Sequence, residues 1–174
     1  MTVRAERKRT TFEGPPTTDP LLRSVDLVTR SLSTDSGALV AASAGRGVVL
    51  AGDTVIALGR RVLGKAENEP ELRRMLGLLS GRRHHCLTAV CVIDAAGKAR
   101  TRLSDTIVAF KPLNGAEIDA YVASGEGLGK AGGYAIQGRA EAFVRFLSGS
   151  HSGVIGLPLF ETRALLAAAG MPLG

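Results

Sequence analysis

The chain has 174 residues, of which 45% are hydrophobic and 22% charged, with 22 glycines; that length fits one domain with a real core, and the composition excludes a disordered chain. Aromatic residues make up 4% and Trp is absent, which argues against a base-stacking surface for single-stranded nucleic acid. The formal net charge of +6 favours anionic partners in general, but much of the excess lies in Arg4, Arg7, Lys8 and Arg9, a run read first as a solvated terminus.

Residues 1–18 are expected to be irregular, broken by Gly14-Pro15-Pro16, and residues 19–174 to form a single domain. Asp19 and Pro20 open a predicted helix whose apolar stripe is Leu21, Leu22, Val25, Val28 and Leu32. The run Val48–Ala51 predicts a buried strand that stops at Gly52-Asp53-Thr54, leaving an acid at a strand end where it can face a cleft. A short strand Val55–Leu58 then turns at Gly59-Arg60 and returns through Val62-Leu63 to Gly64-Lys65. Asn68 and Glu71 form a capping pair with Pro70 in the first turn, and the helix they start sends Leu72, Met75, Leu76 and Leu79 inward before Ser80-Gly81. Residues 86–93 and about 102–110 predict two strands joined across Ala96-Gly97.

Asn114 and Glu117 predict a second capping box, for a helix through Ile118, Tyr121 and Val122. A glycine-dense loop, GEGLGKAGGYAIQG, follows over Gly125–Gly138. The apolar run Ala142–Leu147, a turn at Gly149 and a last helix with Leu165 and Leu166 inward complete the chain. Alternating strands and helices give an α/β class. Cys86 and Cys91 share a predicted strand at an odd separation, so they face opposite sides; no disulfide is expected, and a reducing compartment fits. No apolar run approaches the roughly eighteen residues that span a bilayer, and no signal-peptide pattern precedes residue 20, so the expected location is the cytoplasm and no membrane partner is expected.

Cleavage of a phosphoanhydride needs a carboxylate to activate water or hold a divalent metal, and cations to absorb transition-state charge. Asp53 and Lys65 fit those roles if they meet on one rim of a cleft, although an Asp-Thr after a strand also serves simply to cap a turn. The glycine-dense loop offers close backbone approach together with Glu126, Lys130 and Gln137; the plainer account is a connection that needs glycine for its turns. Neither GxxxxGK[ST] nor a strand-following GxGxxG is present. His84, His85 and Cys86 are adjacent, an arrangement that rarely converges on one zinc ion, and no GxSxG marks a serine nucleophile.

The run AGDTVIALGRRVLGKAENEPELRRMLGLLSGRRHHCLTAV, then LNGAEIDAYVASGEGLGKAGGYAIQGRAEAFV and GSHSGVIGLPL, resembles the signature of the Maf family of nucleoside triphosphate pyrophosphatases, most strongly over residues 47–170. The resemblance implies an α/β fold with a long twisted mixed sheet flanked by helices, and two lobes around a central nucleotide cleft. It implies cleavage of a nucleoside triphosphate to the monophosphate and pyrophosphate with a divalent cation, Mg²⁺. By motif position, Asp53 matches the essential acid, which activates water or holds metal, and Lys65 matches the phosphate-contacting lysine. Gln137 matches the base-selecting position, and Thr54 with Gln137 resembles the dTTP/UTP-directed branch. Glu126 and Lys130 are the further expected substrate contacts. A homodimer, clearance of modified pyrimidine nucleotides and a link to septum formation are expectations of the same kind.

The sequence also departs from the family pattern. The family opens with an apolar strand running into a Ser-x-Ser-Pro-Arg-Arg phosphate loop, and Lys8-Arg9-Thr10 has only the charges of it. Phe12-Glu13 is what corresponds to the family's upstream acid, making Glu13 a second candidate metal ligand, and Ser36 falls where a lysine is expected. The first strand and phosphate loop are therefore expected to be missing, through truncation or degeneration. The alternative reading is a catalytically impaired paralogue that binds nucleotide or serves as a division-associated interaction module. Nucleic-acid binding rests on net charge alone and is not expected.

Overall fold

A computed structural model describes residues 47–173. The expected irregular segment 1–18, the helix starting at Asp19, and the positions of Glu13 and Ser36 lie outside the described residues. Five strands form one sheet: β1 (Val49–Leu58), β2 (Arg61–Leu63), β3 (Arg83–Ile93), β4 (Ala99–Phe110) and β5 (Val144–Ser148), in the order β2-β1-β3-β4-β5. Every pairing between these strands is antiparallel. Of the mixed sheet expected, parallel pairing among the described residues is confined to one bridge, Ala66 with Leu128. The helices are α1 (Glu69–Leu79), α2 (Gly115–Ala123), α3 (His151–Ile155) and α4 (Leu159–Ala168), with a 3₁₀ turn over Arg139–Phe143. The α/β class holds, and no described helix is long and apolar enough to cross a membrane.

Local signals set the helix ends. The Asn68 side chain accepts the Glu71 N–H at 2.9 Å, while the Glu71 carboxylate accepts the N–H of Glu67 and not that of Asn68. In α2 the box is complete, with Asn114 accepting from Glu117 N–H and the Glu117 carboxylate accepting from Asn114 N–H. The predicted break at Gly52-Asp53-Thr54 is corrected: β1 runs unbroken for ten residues and Asp53 lies in its middle. A ladder to β3 that pairs Asp53 with Ala89 and Thr54 with Thr88 carries the chain straight through. Gly52 instead marks a close approach, since a Cβ there would lie 3.2 Å from the Gly156 carbonyl.

Strand alternation sorts the sheet's side chains onto two faces. On the face bearing even-numbered residues, Ile56, Cys86, Val108 and Phe110 join Leu72, Met75, Leu76 and Leu79 of α1 and Tyr121 and Val122 of α2 in the main core. At the other end of the same face, Val90 and Val92 pack with Leu165 of α4 in a smaller cluster. Between the two lies a band of hydroxyls. Thr54, Thr88 and Ser104 share one register across three strands, with Thr106 one step along, and Thr88, Ser104 and Thr106 are all buried. Buried hydroxyls in an apolar sheet require partners, and the segment Gly149–Gly156 supplies them: Thr106 Oγ1 accepts the Ser150 N–H at 2.9 Å, and Thr88 Oγ1 donates to the Gly153 carbonyl at 2.7 Å.

Candidate active site

The glycine-dense loop is not a loose connection. Gly132 N–H donates to the Gly64 carbonyl, Ala66 N–H to the Lys130 carbonyl and Gly129 N–H to the Ala66 carbonyl, so the segments around Lys65 and Lys130 are zipped together. Lys65 itself bridges Ala131. Gly132 has φ +68°, and a Cβ there would come within 2.8 Å of Ile56, so only glycine lets the loop press onto β1. Tyr121 of α2 reaches under the loop and its hydroxyl accepts the Ala135 N–H at 3.1 Å; burial raises its pKa and keeps the phenol neutral.

Pressed against β1, the loop encloses a pocket of about 90 Å³ lined by Thr54, Ile56, Lys130, Tyr134, Gln137 and Ile155, among others. That volume suits one ring, well short of the ~300 Å³ at which whole drug-sized ligands begin to be enclosed. Of the residues singled out in sequence, Thr54, Lys130 and Gln137 are brought together here. Asp53 is next to Thr54 in the chain but on the opposite pleat, half-buried beside the face formed by Ala51, Val55 and Ala89. Its Oδ1 accepts the Thr54 N–H at 2.9 Å, and its other oxygen is uncommitted among the described residues. Lys65 is exposed, and neither it nor Lys130 is paired with a carboxylate among the described residues. Glu126 does not line the pocket; its Oε2 accepts the Arg139 N–H at 3.1 Å, and a Cβ at Gly138 would collide with its carboxylate at 2.5 Å.

His84 and His85 diverge. His84 is buried and its Nε2 lies 2.9 Å from the Tyr134 hydroxyl, within an edge-on cluster with Phe110, whereas His85 pairs with Asp105 at 2.8 Å. Burial, with the His85 charge second, lowers the His84 pKa to about 4. Burial likewise pushes the Cys86 thiol up to about 12, so it is no nucleophile at neutral pH. Both cysteines are free and buried.

Sequence reasoning missed Thr88, Thr106, Ser150 and Tyr134. The available signal was a polar residue at an inward position of an apolar strand, as Thr88 stands in CLTAVCVI; such a residue needs a partner that only the tertiary fold reveals.

An antiparallel sheet, a zipped glycine loop with a lysine on each of the two bridged segments, and Thr54 and Gln137 on the wall of a ring-sized pocket make up the candidate site of an α/β domain. The chain belongs to the Maf-like protein family, whose model matches residues 13–169. It is 73% identical over 137 residues to a dTTP/UTP pyrophosphatase of Sphingopyxis alaskensis, covering 79% of this chain and 72% of that protein. It is 57% identical over 140 residues to a dTTP/UTP pyrophosphatase of Novosphingobium aromaticivorans, covering 80% and 70%. A dTTP/UTP pyrophosphatase of Zymomonas mobilis is 54% identical over 144 residues, covering 83% and 71%.

Proposed function

We propose that the protein is a nucleoside triphosphate pyrophosphatase acting on dTTP and UTP, releasing pyrophosphate and leaving the monophosphate. The observation that carries the reading is the convergence of Thr54, Lys130 and Gln137 on one ring-sized pocket, with Lys65 zipped to the same loop. The names of the similar proteins support the substrate. In this reading the base enters the pocket and the triphosphate runs out along the two lysines. Their ammonium groups meet the charge that builds on the phosphate oxygens as the α–β bond breaks. Asp53 stands on the other pleat of β1 from the pocket, so the α-phosphate must lie beyond the pocket, beside β1, for its carboxylate to take a proton from the attacking water; the water oxygen then bonds the α-phosphorus and the pyrophosphate leaves with the bridging oxygen.

No three His, Cys, Asp or Glu side chains converge to cage an ion among the described residues. Mg²⁺ does not demand such a cage, since it is commonly held through one or two carboxylates plus substrate phosphates and water. Asp53 could hold such a cation through Oδ1, which accepts only the Thr54 N–H among the described residues, and a bound divalent cation would supply charge neutralisation at the phosphates. A cytoplasmic location and a homodimer belong to the same proposal, supported by the family resemblance.

Asp53→Asn tests the reading. Pyrophosphate release from dTTP or UTP in the presence of Mg²⁺ is expected from the wild-type chain and is expected to fall by about 10²–10⁴ in the variant, the range of a lost general base. Wild-type release no faster than a protein-free blank would instead favour the nucleotide-binding module without turnover.

A further inference from the structure

Thr88 is fully buried at the centre of the sheet, and its hydroxyl touches two oxygens: the Gly153 carbonyl at 2.7 Å and Thr54 Oγ1 at 2.9 Å. A hydroxyl has one proton, and a carbonyl has none. The close contact with Gly153 therefore consumes the Thr88 proton. The contact with Thr54 must then be carried by the Thr54 proton, donated inward. Cys86, held as a neutral thiol by burial, is a weak acceptor and does not compete with a carbonyl for that proton. Thr54 lines the pocket, and its Oγ1 is left with lone pairs and no proton to offer a ligand.

The Gly153 carbonyl that anchors this chain is itself fixed. Ser150 Oγ accepts the Gly153 N–H at 2.9 Å, and Ser150 is held in turn by Thr106. A side chain at Gly153 would meet Ser104 Oγ at 3.1 Å, so the glycine keeps α3 seated on the hydroxyl band.

We propose that Thr88 is a positioning residue that fixes Thr54 as an acceptor toward the pocket, so that the site selects a pyrimidine with a ring N–H, the imide of uracil or thymine, over cytosine. The inference rests on the base lying in this pocket, as proposed above. An imide presents an N–H flanked by carbonyls. Thr54 accepts the N–H, while the Gln137 amide, also on the pocket, can donate to a neighbouring carbonyl. Cytosine presents a lone pair at the same ring position, and two facing acceptors leave both unsatisfied.

The test is calorimetric binding of UMP and CMP to the full chain, alongside turnover of UTP and CTP, for wild type, Thr88→Val and Thr88→Ser. Thr88→Ala, which only removes atoms, replaces the valine variant if that one does not fold. Wild type is expected to favour UMP, and loss of the Thr88 hydroxyl to reduce the UMP-to-CMP affinity ratio about tenfold, the scale of one hydrogen bond. Thr88→Ser restores the hydroxyl and is expected to restore the ratio; a purely structural role, through α3, would weaken UMP and CMP binding alike and leave the ratio unmoved. An unchanged ratio in a folded variant lacking the hydroxyl overturns the proposal, as does wild type that binds both nucleotides equally or neither. UMP selectivity without UTP turnover removes the hydrolase reading and leaves this one standing; equal turnover of UTP and CTP does the reverse.

Discussion

His84 is a buried imidazole whose Nε2 meets the Tyr134 hydroxyl and whose Nδ1 has no hydrogen-bond partner. Such a site suits the neutral ring, because an imidazolium would strand a charged N–H in the core. Its pKa falls from 6.5 to about 4 on folding. The unfolded chain thus binds the extra proton between those values, and stability rises with pH across that window. The contribution is fully present above the unfolded pKa and is lost as pH falls through about 4. Its size is about 3 kcal/mol, from ~1.4 kcal/mol per pH unit. Urea midpoints measured from pH 7.5 to 4 should therefore drop more steeply for wild type than for His84→Gln, which keeps a polar group near Tyr134 but does not titrate. Parallel curves would show that His84 titrates as it does in the unfolded chain.

The glycine loop is an element without regular structure that nonetheless behaves as a clamp, since three backbone bonds tie it to the strand-like run Gly64–Ala66. Gly132 and Gly129 separate the two demands glycine meets there. Both have positive φ, +68° and +70°, but a Cβ at Gly132 would reach 2.8 Å from Ile56 while one at Gly129 meets nothing within 4 Å. Gly129→Ala should cost only the backbone term of about 1–2 kcal/mol. Gly132→Ala adds overpacking of about 1–3 kcal/mol against a β-branched core residue, and should weaken nucleotide binding because the loop lifts from β1. Chemical denaturation of the two variants measures the gap; equal losses would mean the loop yields freely. This clamp was only half legible in sequence. Asn68, Asn114 and the inward stripe of α1 were readable because capping and helical period are local. The continuity of β1 was not, because Gly52 and Asp53 are turn-forming types and the ladder to β3 that overrides them is non-local. Lys65 and Lys130 were each visible as cations, yet the approach of the segments that carry them depends on a bridge between distant parts of the chain, and Thr88 looked like any strand threonine.

Across the whole molecule the hydroxyl band divides one sheet face between cores of very different size. Among the described residues the main cluster holds 16 buried residues against three in the cluster beneath α4, so of these two clusters the one at α4 has far less apolar burial to resist opening. The N-cap of α4, Pro158, makes no side-chain capping bond, and Leu159 and Phe160 in its first turn are 59% and 84% exposed. Its neighbour α3 is better anchored, through Ser150 to Thr106 and through Gly153 to Thr88. The pocket wall contributed by Ile155 on α3 should therefore persist when α4 frays. Native-state hydrogen exchange is expected to show α4 amides opening at a lower free energy than those of α1. Leu165→Ala, which removes one of the three buried residues of the small cluster, should cost about 2–5 kcal/mol, felt chiefly at α4. The exchange of α4 should accelerate by orders of magnitude in that variant, with α1 changed far less. If α1 and α4 accelerate by one common factor, the two cores unfold as a single unit, and the hydroxyl band is a seam in chemistry only, not in stability.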